Sequence, residues 1–273
     1  MPQSAVQRGF RGFDALRSVW TWSAVVFLII IWLPLLALIR LFDRDPVHYR
    51  TGRWFRRLGV AMTKVNPAWR LRVSGYTVTD ARNPYVVVSN HLSMADIPLI
   101  AHLPWEMKWI GKEVLFRLPL IGWMMKMAGD MPVDRGNVRS GARVLLRAAK
   151  VLQQKCSVIF FPEGTRSLDG RLGRFNDGAF HLAIRSQVPI LPLVIDGSQN
   201  CLPKKSWIFG RGQTIQLKVM EPVATAGMVA EQVGELRDAV RGSILRQLSE
   251  WRSAPRESVD ALATTSPAAV IPH

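Results

Sequence analysis

One uncharged segment limits the architectures that this chain can adopt. No charged residue occurs from Ser18 to Ile39, a run of 22 residues. As a helix this run is roughly 33 Å long, whereas the hydrocarbon core of a bilayer is about 30 Å thick. The run is too long for the core of a signal peptide, and buried helices of soluble domains are seldom so long without a charge. It therefore predicts a retained membrane helix.

The basic residues of the chain are concentrated around this segment. The 273 residues include 36 Lys and Arg against 20 Asp and Glu, for a net charge of +16. Residues 1–72 hold twelve of these Lys and Arg but only three Asp, so more than half of the excess charge lies there. Basic residues that flank an apolar segment favour anionic membrane lipids as partners. We expect no nucleic-acid partner, since no zinc-finger, basic-zipper or RNA-binding aromatic pattern occurs.

A second helix is predicted over Asp45–Lys64, where four arginines alternate with aromatic and aliphatic residues. Basic amphipathic helices of this type lie on anionic membrane surfaces. Together the two helices predict an N-terminal membrane-associated helical hairpin over residues 1–68, which either dips into one leaflet or crosses the bilayer once. The strongly basic remainder of the chain favours the cytoplasmic face for the main domain.

From Trp69 onward the pattern changes to that of an α/β domain. Short β-branched and aromatic runs predict strands, and segments with a 3.6-residue repeat predict helices. The fold class expected for residues 69–252 is α/β, with a mixed, largely parallel central sheet flanked by helices. Residues 253–273, rich in Ala, Pro, Ser and Thr, are expected to form a disordered tail. The predicted strands are Leu71–Val73, Tyr76–Thr79, Tyr85–Ser89, Met107–Ile110, Met131–Val133, Ser157–Phe161, Ile190–Ile195 and Thr214–Val219.

Two of these segments carry more specific expectations. Pro192 interrupts the strand Ile190–Ile195, and proline occurs mainly in edge strands and at bulges, so this strand is expected at an edge or at a bend. The helix Val138–Leu152 is amphipathic. Its basic residues are expected to form a solvated face, opposite an inward face made of Val138, Ala142, Leu145, Ala149 and Leu152.

The main candidate site follows the predicted strand Tyr85–Ser89. His91 lies where this strand ends and a helix begins, the edge at which open α/β sheets usually bind their ligands. Asp96 is close enough in sequence for its carboxylate to reach the imidazole, and a histidine held by a carboxylate is a candidate general base. Ser93 and Asp96 also fit a helix-capping box, and one turn can serve both purposes.

A second polar turn, Glu163–Arg166, follows the predicted strand Ser157–Phe161. Gly164 allows the backbone to approach a ligand closely, and the planar guanidinium of Arg166 matches a phosphate or a carboxylate. Glu163 could orient that guanidinium or accept a hydrogen bond from a substrate hydroxyl. We expect no metal and no cofactor, since the two cysteines form no metal-ligand pattern and phosphate-loop and serine-hydrolase motifs do not occur.

Several motifs, in a fixed order over residues 90–193, resemble those of the glycerolipid acyltransferases. Asn90–Asp96 matches the family's N-H-x-S-x-x-D block, and Phe161–Ser167 matches its F-P-E-G-T-R-S block. The stretches that resemble the other family motifs are Lys112-Glu113 with Pro119 and Gly122, Gly129–Arg135, and Val188–Leu193.

The resemblance implies an enzyme that transfers an acyl group from acyl-CoA or acyl-carrier protein to the sn-2 hydroxyl of the lysophospholipid 1-acylglycerol 3-phosphate, forming phosphatidate. His91 would take the hydroxyl proton, while Asp96 orients the imidazole and stabilises its positive charge. Arg166, with Lys112 and Arg135, is implied to hold the acceptor phosphate. The resemblance also implies the bacterial inner membrane as the location. The other residues implied to contact the substrate are Glu163, Gly164 and Thr165.

Two other functions remain open. Asn176 stands where related sequences often have a basic residue, so the acceptor could be another lysolipid, such as a lyso-aminolipid. Pro132, within the stretch Gly129–Arg135, likewise replaces a commonly aromatic residue, which leaves the local shape of that stretch undefined. The N-terminal charge is also compatible with a non-catalytic protein that binds an anionic membrane surface. That function leaves the His91–Asp96 pair and the Glu163–Arg166 turn unexplained.

Overall fold

Parallel strands dominate the sheet in this computed structural model, which describes residues 5–66, 69–202, 206–210 and 213–263. Within those residues the strands are β1 (Trp69–Gly75), β2 (Val86–Ser89), β3 (Met107–Lys112), β4 (Met131–Val133), β5 (Ser157–Phe160), β6 (Ile190–Asp196) and β7 (Gln213–Val219). They form one sheet in the order β1-β7-β6-β2-β5-β3-β4. The pair β6–β7 is antiparallel, and the other neighbours are parallel. The expected mixed, largely parallel α/β sheet is thus confirmed.

The helices of the described residues lie before the sheet, in the crossovers between its strands and after its last strand. Short 3₁₀ turns occur at Ser198–Asn200 and Ala230–Gln232. The α-helices are α1 (Ala5–Phe42), α2 (Tyr49–Lys64), α3 (Asp96–Ile100), α4 (Glu113–Arg117), α5 (Ile121–Met127), α6 (Val138–Gln153), α7 (Gly178–Ser186), α8 (Val233–Arg252) and α9 (Arg256–Val259).

Both faces of the sheet are covered. Side chains along a strand point alternately to opposite faces, so one strand contributes to both cores. Val86 and Val88 of β2 belong to the core formed with α6, α7 and α8. Val87 belongs to the core on the other face, together with Leu99 of α3. α2 packs against α3, and α1 packs against α2. The two N-terminal helices and α6 therefore lie on opposite faces of the sheet.

α1 contacts the rest of the molecule near both ends of its apolar segment. The Ser18 hydroxyl accepts a hydrogen bond from Phe209 N at 3.0 Å, and Trp32 Nε1 donates to Trp54 O in α2 at 2.9 Å. These positions are separated by roughly 21 Å along the helix axis. The helical segment Gly12–Phe42 is long and apolar enough to cross a membrane, and little of it is buried. α1 therefore lies along the domain, with a broad apolar face left exposed.

The expectation that the arginines of α2 cover a membrane surface is wrong for Arg53 and Arg56. The Arg53 guanidinium donates to the backbone oxygens of Leu103 and Trp105, each at 3.0 Å, and Arg56 is buried. α2 lies between α1 and α3, so part of its basic face points into the protein. A sequence pattern of alternating basic and apolar residues does not distinguish lipid from a second layer of protein.

A buried ion cluster surrounds Arg56. Its guanidinium pairs with Asp130 and lies 3.5 Å from Glu106 Oε1, which also accepts a hydrogen bond from Lys108 Nζ at 3.0 Å. These four side chains are all less than a tenth exposed. Each buried cation faces a carboxylate, the condition under which charge can be buried at all. The cluster joins α2 to β3 and to the residue that precedes β4.

The expectation of an edge position for β6 is wrong, because β6 lies between β7 and β2. Pro192 is accommodated at a break in the ladder. Its carbonyl accepts from Met220 N at 2.9 Å, one residue past the end of β7, and the next pairing is the isolated bridge between Ile190 and Val223. The N–H and C=O groups of one strand residue point toward the same neighbouring strand. The N–H group that Pro192 lacks would therefore point toward β7, at a position where β7 has already ended.

The strand expected at Tyr76–Thr79 is also absent from the structure. β1 continues instead to Gly75, whose φ of +97° turns the chain away from the sheet. A side chain at Gly75 would place its Cβ 2.0 Å from Val219 O. The position thus requires glycine, and the turn there ends β1.

The inward face predicted for α6 is partly wrong. Val138 is 90% exposed and Ala142 is also exposed, whereas Val144, Ala148 and Leu152 are buried against the sheet. Apolar residues fit a 3.6-residue repeat on two adjacent sides of this helix. The predicted stripe is therefore rotated from the one that packs, although the exposed basic face is where the sequence places it.

The expected disordered tail is wrong for residues 253–263. α9 docks Val259 into the core, and the backbone of Leu172 bonds to Val259 O at 2.8 Å and to Ala261 N at 3.1 Å. Arg241 of α8 forms an ion pair with Asp260. These contacts order a segment whose composition alone indicates a coil. Residues 264–273 lie outside the described residues.

Candidate active site

The turn between β2 and α3 brings His91 and Asp96 together. His91 Nδ1 lies 2.7 Å from Asp96 Oδ2. The same oxygen accepts hydrogen bonds from the backbone N–H groups of Leu92 at 2.7 Å and Ser93 at 2.9 Å. Because the carboxylate oxygen only accepts, Nδ1 of the neutral imidazole carries the proton and Nε2 keeps a lone pair. No hydrogen bond joins Nε2 to any residue that the structure describes, so Nε2 can accept a proton from a ligand.

The capping interpretation of this turn is half correct. Asp96 Oδ2 accepts from Ser93 N, which is one of the two bonds of a capping box. The Ser93 hydroxyl instead accepts from Ala95 N at 3.3 Å and donates to Leu202 O at 3.2 Å. The bond from Ser93 N therefore also fixes the carboxylate that holds His91.

Glu163 links the second polar turn to His91. Its Oε1 accepts from His91 N at 2.8 Å, and its Oε2 accepts from Gly173 N at 2.9 Å. Ser167 N donates to His91 O at 2.8 Å. Burial raises the pKa of Glu163 to about 7, although both backbone N–H groups act in the opposite direction. Both oxygens of Glu163 are thus occupied by the protein's own backbone, and no ion pair joins it to Arg166 within the described chain.

Gly164 lies at the tip of this turn, with a φ of +73°. Its carbonyl accepts a hydrogen bond from the Arg135 guanidinium. Asn176 stabilises the turn, since its backbone N and its Nδ2 both donate to Pro162 O, at 2.9 and 2.8 Å. The Asn176 amide therefore holds the turn in shape.

All the site residues expected from the sequence lie at one edge of the sheet. β2, β3, β4 and β5 are mutually parallel, so the segments that follow them meet at their carboxyl ends. Direct contacts join His91 to Asp96, Glu163 to the His91 backbone, and Arg135 to Gly164. The side chains of Lys112, Thr165 and Arg166 form no hydrogen bond or ion pair with a described residue.

Two contributors to the site were not expected. The Phe161 ring stacks on the His91 imidazole, with ring centroids 4.0 Å apart and planes inclined by 19°. The Asn90 side chain exchanges two hydrogen bonds of 2.9 Å with the backbone of Ile195 in β6. The sequence does indicate a structural role for Asn90, because an amide side chain inside a buried run must find hydrogen-bond partners. The sequence contains no corresponding signal for the stack, which depends on how two loops meet.

The two cysteines are poorly placed for chemistry. Cys156 and Cys201 are fully buried, and burial raises the pKa of each thiol to about 12. The described residues contain no group of three or more His, Cys, Asp or Glu side chains that could hold a metal ion. The site therefore combines one oriented imidazole with the cationic side chains of Lys112, Arg135 and Arg166.

Comparisons with known proteins place this chain in a family. A family model described as "Acyltransferase" matches residues 70–196, which include both polar turns. The human 1-acyl-sn-glycerol-3-phosphate acyltransferase alpha is 36% identical over 195 residues, which cover 71% of this chain and 69% of the human protein. A chloroplastic 1-acyl-sn-glycerol-3-phosphate acyltransferase of Arabidopsis thaliana is 35% identical over 183 residues.

The coverage of these relatives differs. The aligned segment is 67% of this chain but 50% of the Arabidopsis protein, and it is 53% of a chloroplastic relative from Brassica napus. The chain thus spans about half the length of these plant relatives. The crystal structure of a 1-acyl-sn-glycerophosphate acyltransferase from Thermotoga maritima superposes with a TM-score of 0.73 at 25% identity, covering 90% of this chain and 98% of that chain.

Proposed function

This chain belongs to the acyltransferase family, and we propose that it transfers an acyl group from acyl-CoA or acyl-carrier protein to the sn-2 hydroxyl of 1-acyl-sn-glycerol 3-phosphate, forming phosphatidate. The named activity of the relatives supports this acceptor. The observation that carries the proposal is the bond between His91 Nδ1 and Asp96 Oδ2, which leaves Nε2 as a base at a cationic edge of the sheet.

In the proposed reaction His91 is the general base. Nε2 takes the proton of the acceptor hydroxyl as its oxygen attacks the thioester carbonyl. A carbon–oxygen bond forms, the carbon–sulfur bond breaks, and the imidazolium returns the proton to the departing thiolate. Asp96 stabilises the imidazolium, and general-base assistance is typically worth about 10²–10⁴-fold in rate. The thioester is already activated, so no covalent enzyme intermediate is needed.

The acceptor phosphate is proposed to bind at the cationic edge. The Arg166 guanidinium has no partner among the described residues, and it follows a turn that Glu163 holds against His91. Arg135 uses one N–H group on Gly164 O, which leaves others to donate to phosphate oxygens. Lys112 ends the neighbouring strand β3. The flanking residues Gly164 and Thr165 complete the proposed acceptor-binding turn.

The proposed location is the cytoplasmic face of a bacterial inner membrane, with α1 lying in the plane of one leaflet. The contacts of Ser18 and Trp32 support this placement. A helix along the bilayer normal would contact the domain only near one of its ends, whereas these two contacts are spaced along α1. The outer face of α1 is apolar, with Phe27 63% exposed and Ile30 53% exposed. Such a helix places the site beside lipid substrates, and anionic lipids are the proposed surface.

Product analysis tests the proposed reaction. Purified protein in detergent is incubated with 1-acylglycerol 3-phosphate and either palmitoyl-CoA or a palmitoyl-loaded acyl-carrier protein. We expect phosphatidate whose new acyl chain is released by an sn-2-specific phospholipase. Absence of product with both donors would refute the proposed activity, and a chain at another position would refute the assigned regiochemistry.

A second acceptor is favoured by one observation, the position of Asn176. Its amide braces the turn through Pro162 O, so this position offers no positive charge to a phosphate. A lyso-aminolipid or another lysolipid would need less charge there. A panel of lysolipids with one donor separates the two acceptors. Turnover of any of them excludes a purely non-catalytic, membrane-binding protein.

A further inference from the structure

One helix face carries a group of unpaired cations that the proposed reaction does not use. We call it the α6 stripe and define it as Arg139, Arg143, Leu146, Arg147 and Lys150. All five residues are exposed, and Leu146 is 57% exposed. None of the four basic side chains forms an ion pair or a side-chain hydrogen bond with a described residue.

The fold does not require this stripe. α6 is anchored by Val144, Ala148 and Leu152 on its opposite side, and its N-terminus is capped by Asn137, whose side chain accepts from Ser140 N. α6 contains no acidic residue. Like charges three or four residues apart on a helix are destabilising, so an uncompensated row of cations needs an explanation outside the fold.

The α6 stripe begins beside the site. α6 connects β4 to β5 and runs antiparallel to these parallel strands, so its N-terminus lies at their carboxyl edge. Arg135, just before the helix, bonds to Gly164 in the polar turn. From Arg139 to Lys150 the stripe extends roughly 17 Å away from that edge. A partner on the stripe would therefore reach the site with one end.

With α1 on the bilayer, a partner of the α6 stripe would come from the aqueous side. α6 packs on one face of the sheet, whereas α3, α2 and the apolar helix α1 lie on the other. A bilayer in contact with the exposed face of α1 is separated from the α6 stripe by the thickness of the domain. Anionic lipid is therefore not the ligand of these cations.

We propose that the α6 stripe is the docking surface for an acidic acyl-carrier protein that presents its acyl thioester to the site. This inference rests on the proposed function and names the donor. An acidic helical protein matches both the sign and the length of the stripe, and the exposed Leu146 supplies an apolar contact among the charges. Free acyl-CoA is a small molecule that can reach the site without a row of cations continuing to Lys150.

Charge reversal on the stripe tests this docking. In the variant Arg143→Glu/Arg147→Glu we expect kcat/KM for a palmitoyl-loaded acyl-carrier protein to fall by about tenfold or more at low salt, because attractive pairs become repulsive ones. With palmitoyl-CoA we expect a change of less than about twofold, since the chemical site is untouched. The wild-type rate with the carrier protein should also fall steeply with added salt, and the variant rate should not.

A matched control comes from the same face of the sheet. Arg185 of α7 and Arg246 of α8 are exposed helix arginines without a partner among the described residues. Arg185→Glu/Arg246→Glu changes the net charge equally and should leave kcat/KM for the carrier protein within about twofold. Equal losses in the two double variants would overturn the proposal, because the effect would then be one of net charge alone.

Direct binding separates this inference from the proposed reaction. The dissociation constant of the acyl-carrier protein is measured by fluorescence anisotropy for the wild type and both double variants. Binding that Arg143→Glu/Arg147→Glu leaves unchanged would overturn the docking surface even if the enzyme is active. Equal losses with the carrier protein and with palmitoyl-CoA would also overturn it. Weakened binding in a protein that turns over neither donor would support the surface while refuting the proposed reaction.

Discussion

The substitution Asp96→Asn isolates the charge that holds the proposed base. Leu92 N and Ser93 N both point at the position of Oδ2, so the amide oxygen of the variant should occupy that position. The oxygen would still accept from His91 Nδ1, and the tautomer that leaves Nε2 free would be retained. What changes is that the imidazolium formed during the reaction no longer faces a negative charge.

The size of the effect follows from the geometry. With Nδ1 and Oδ2 2.7 Å apart, the two charge centres are separated by about 4 Å, which at an effective dielectric constant near 20 corresponds to about 4 kcal/mol. A loss of that size in the transition state lowers kcat by about 10³-fold. The acceptor KM should change little, because Asp96 is not proposed to touch the acceptor.

Initial rates of phosphatidate formation at saturating donor test this prediction. Asp238→Asn is the matched control, since Asp238 of α8 is largely exposed and pairs with its neighbour Arg237. Its kcat should remain within about twofold of the wild type, as expected for a surface substitution. A kcat for Asp96→Asn within about threefold of the wild type would refute the assigned role, because the carboxylate would then add nothing beyond orientation.

Three further predictions concern the surroundings of the site. Burial raises the pKa of Glu163 from 4.5 to about 7, so the folded protein binds this proton more tightly than the unfolded chain does. About 3 kcal/mol of the free energy of unfolding should therefore be lost as pH rises from about 4.5 through 7. Denaturant unfolding of Glu163→Gln should not show that loss. Parallel pH profiles of the free energy of unfolding for the variant and the wild type would contradict this prediction. Arg56→Met should lower the free energy of unfolding by about 3–5 kcal/mol, because Asp130 and Glu106 lose their buried partner. Arg57→Met, which removes a cation stacked on Trp54 at 4.4 Å, should lower it by about 1 kcal/mol or less, and equal losses would refute the distinction. Phe27→Asp/Ile30→Asp should move the protein from the floating vesicle fraction to the bottom fraction in flotation assays, because charge at the proposed lipid-facing side of α1 opposes insertion. Unchanged flotation would show that another surface binds the membrane.

Some elements of this structure can be predicted from the sequence because local chemistry decides them. A buried β-branched run followed by polar residues places His91 and Asp96 at the carboxyl edge of the sheet, whichever helices cover it. The turn at Gly164 is predictable in the same way, since glycine supplies the backbone conformation required there. The 22-residue uncharged run similarly indicates α1.

Other elements depend on tertiary packing that the sequence does not display. Pro192 indicates an edge strand, and only the early end of β7 shows why an interior strand tolerates it. Arg56 has the same local pattern as a surface arginine, and its burial depends on Asp130, which is distant in sequence. The sequence predicts that Glu163 contacts a substrate, but His91 N and Gly173 N occupy its oxygens once the loops meet.

The rate of phosphatidate formation by His91→Ala tests the central claim most directly. His181→Ala is the control, since His181 is an exposed histidine of α7 whose side chain forms no hydrogen bond with either polar turn among the described residues. With 1-acylglycerol 3-phosphate and palmitoyl-CoA, we expect His181→Ala to keep its activity within about twofold, and His91→Ala to lose about 10²-fold or more while remaining folded and membrane-bound. A folded His91→Ala protein with wild-type activity would contradict the assignment of His91 as the base.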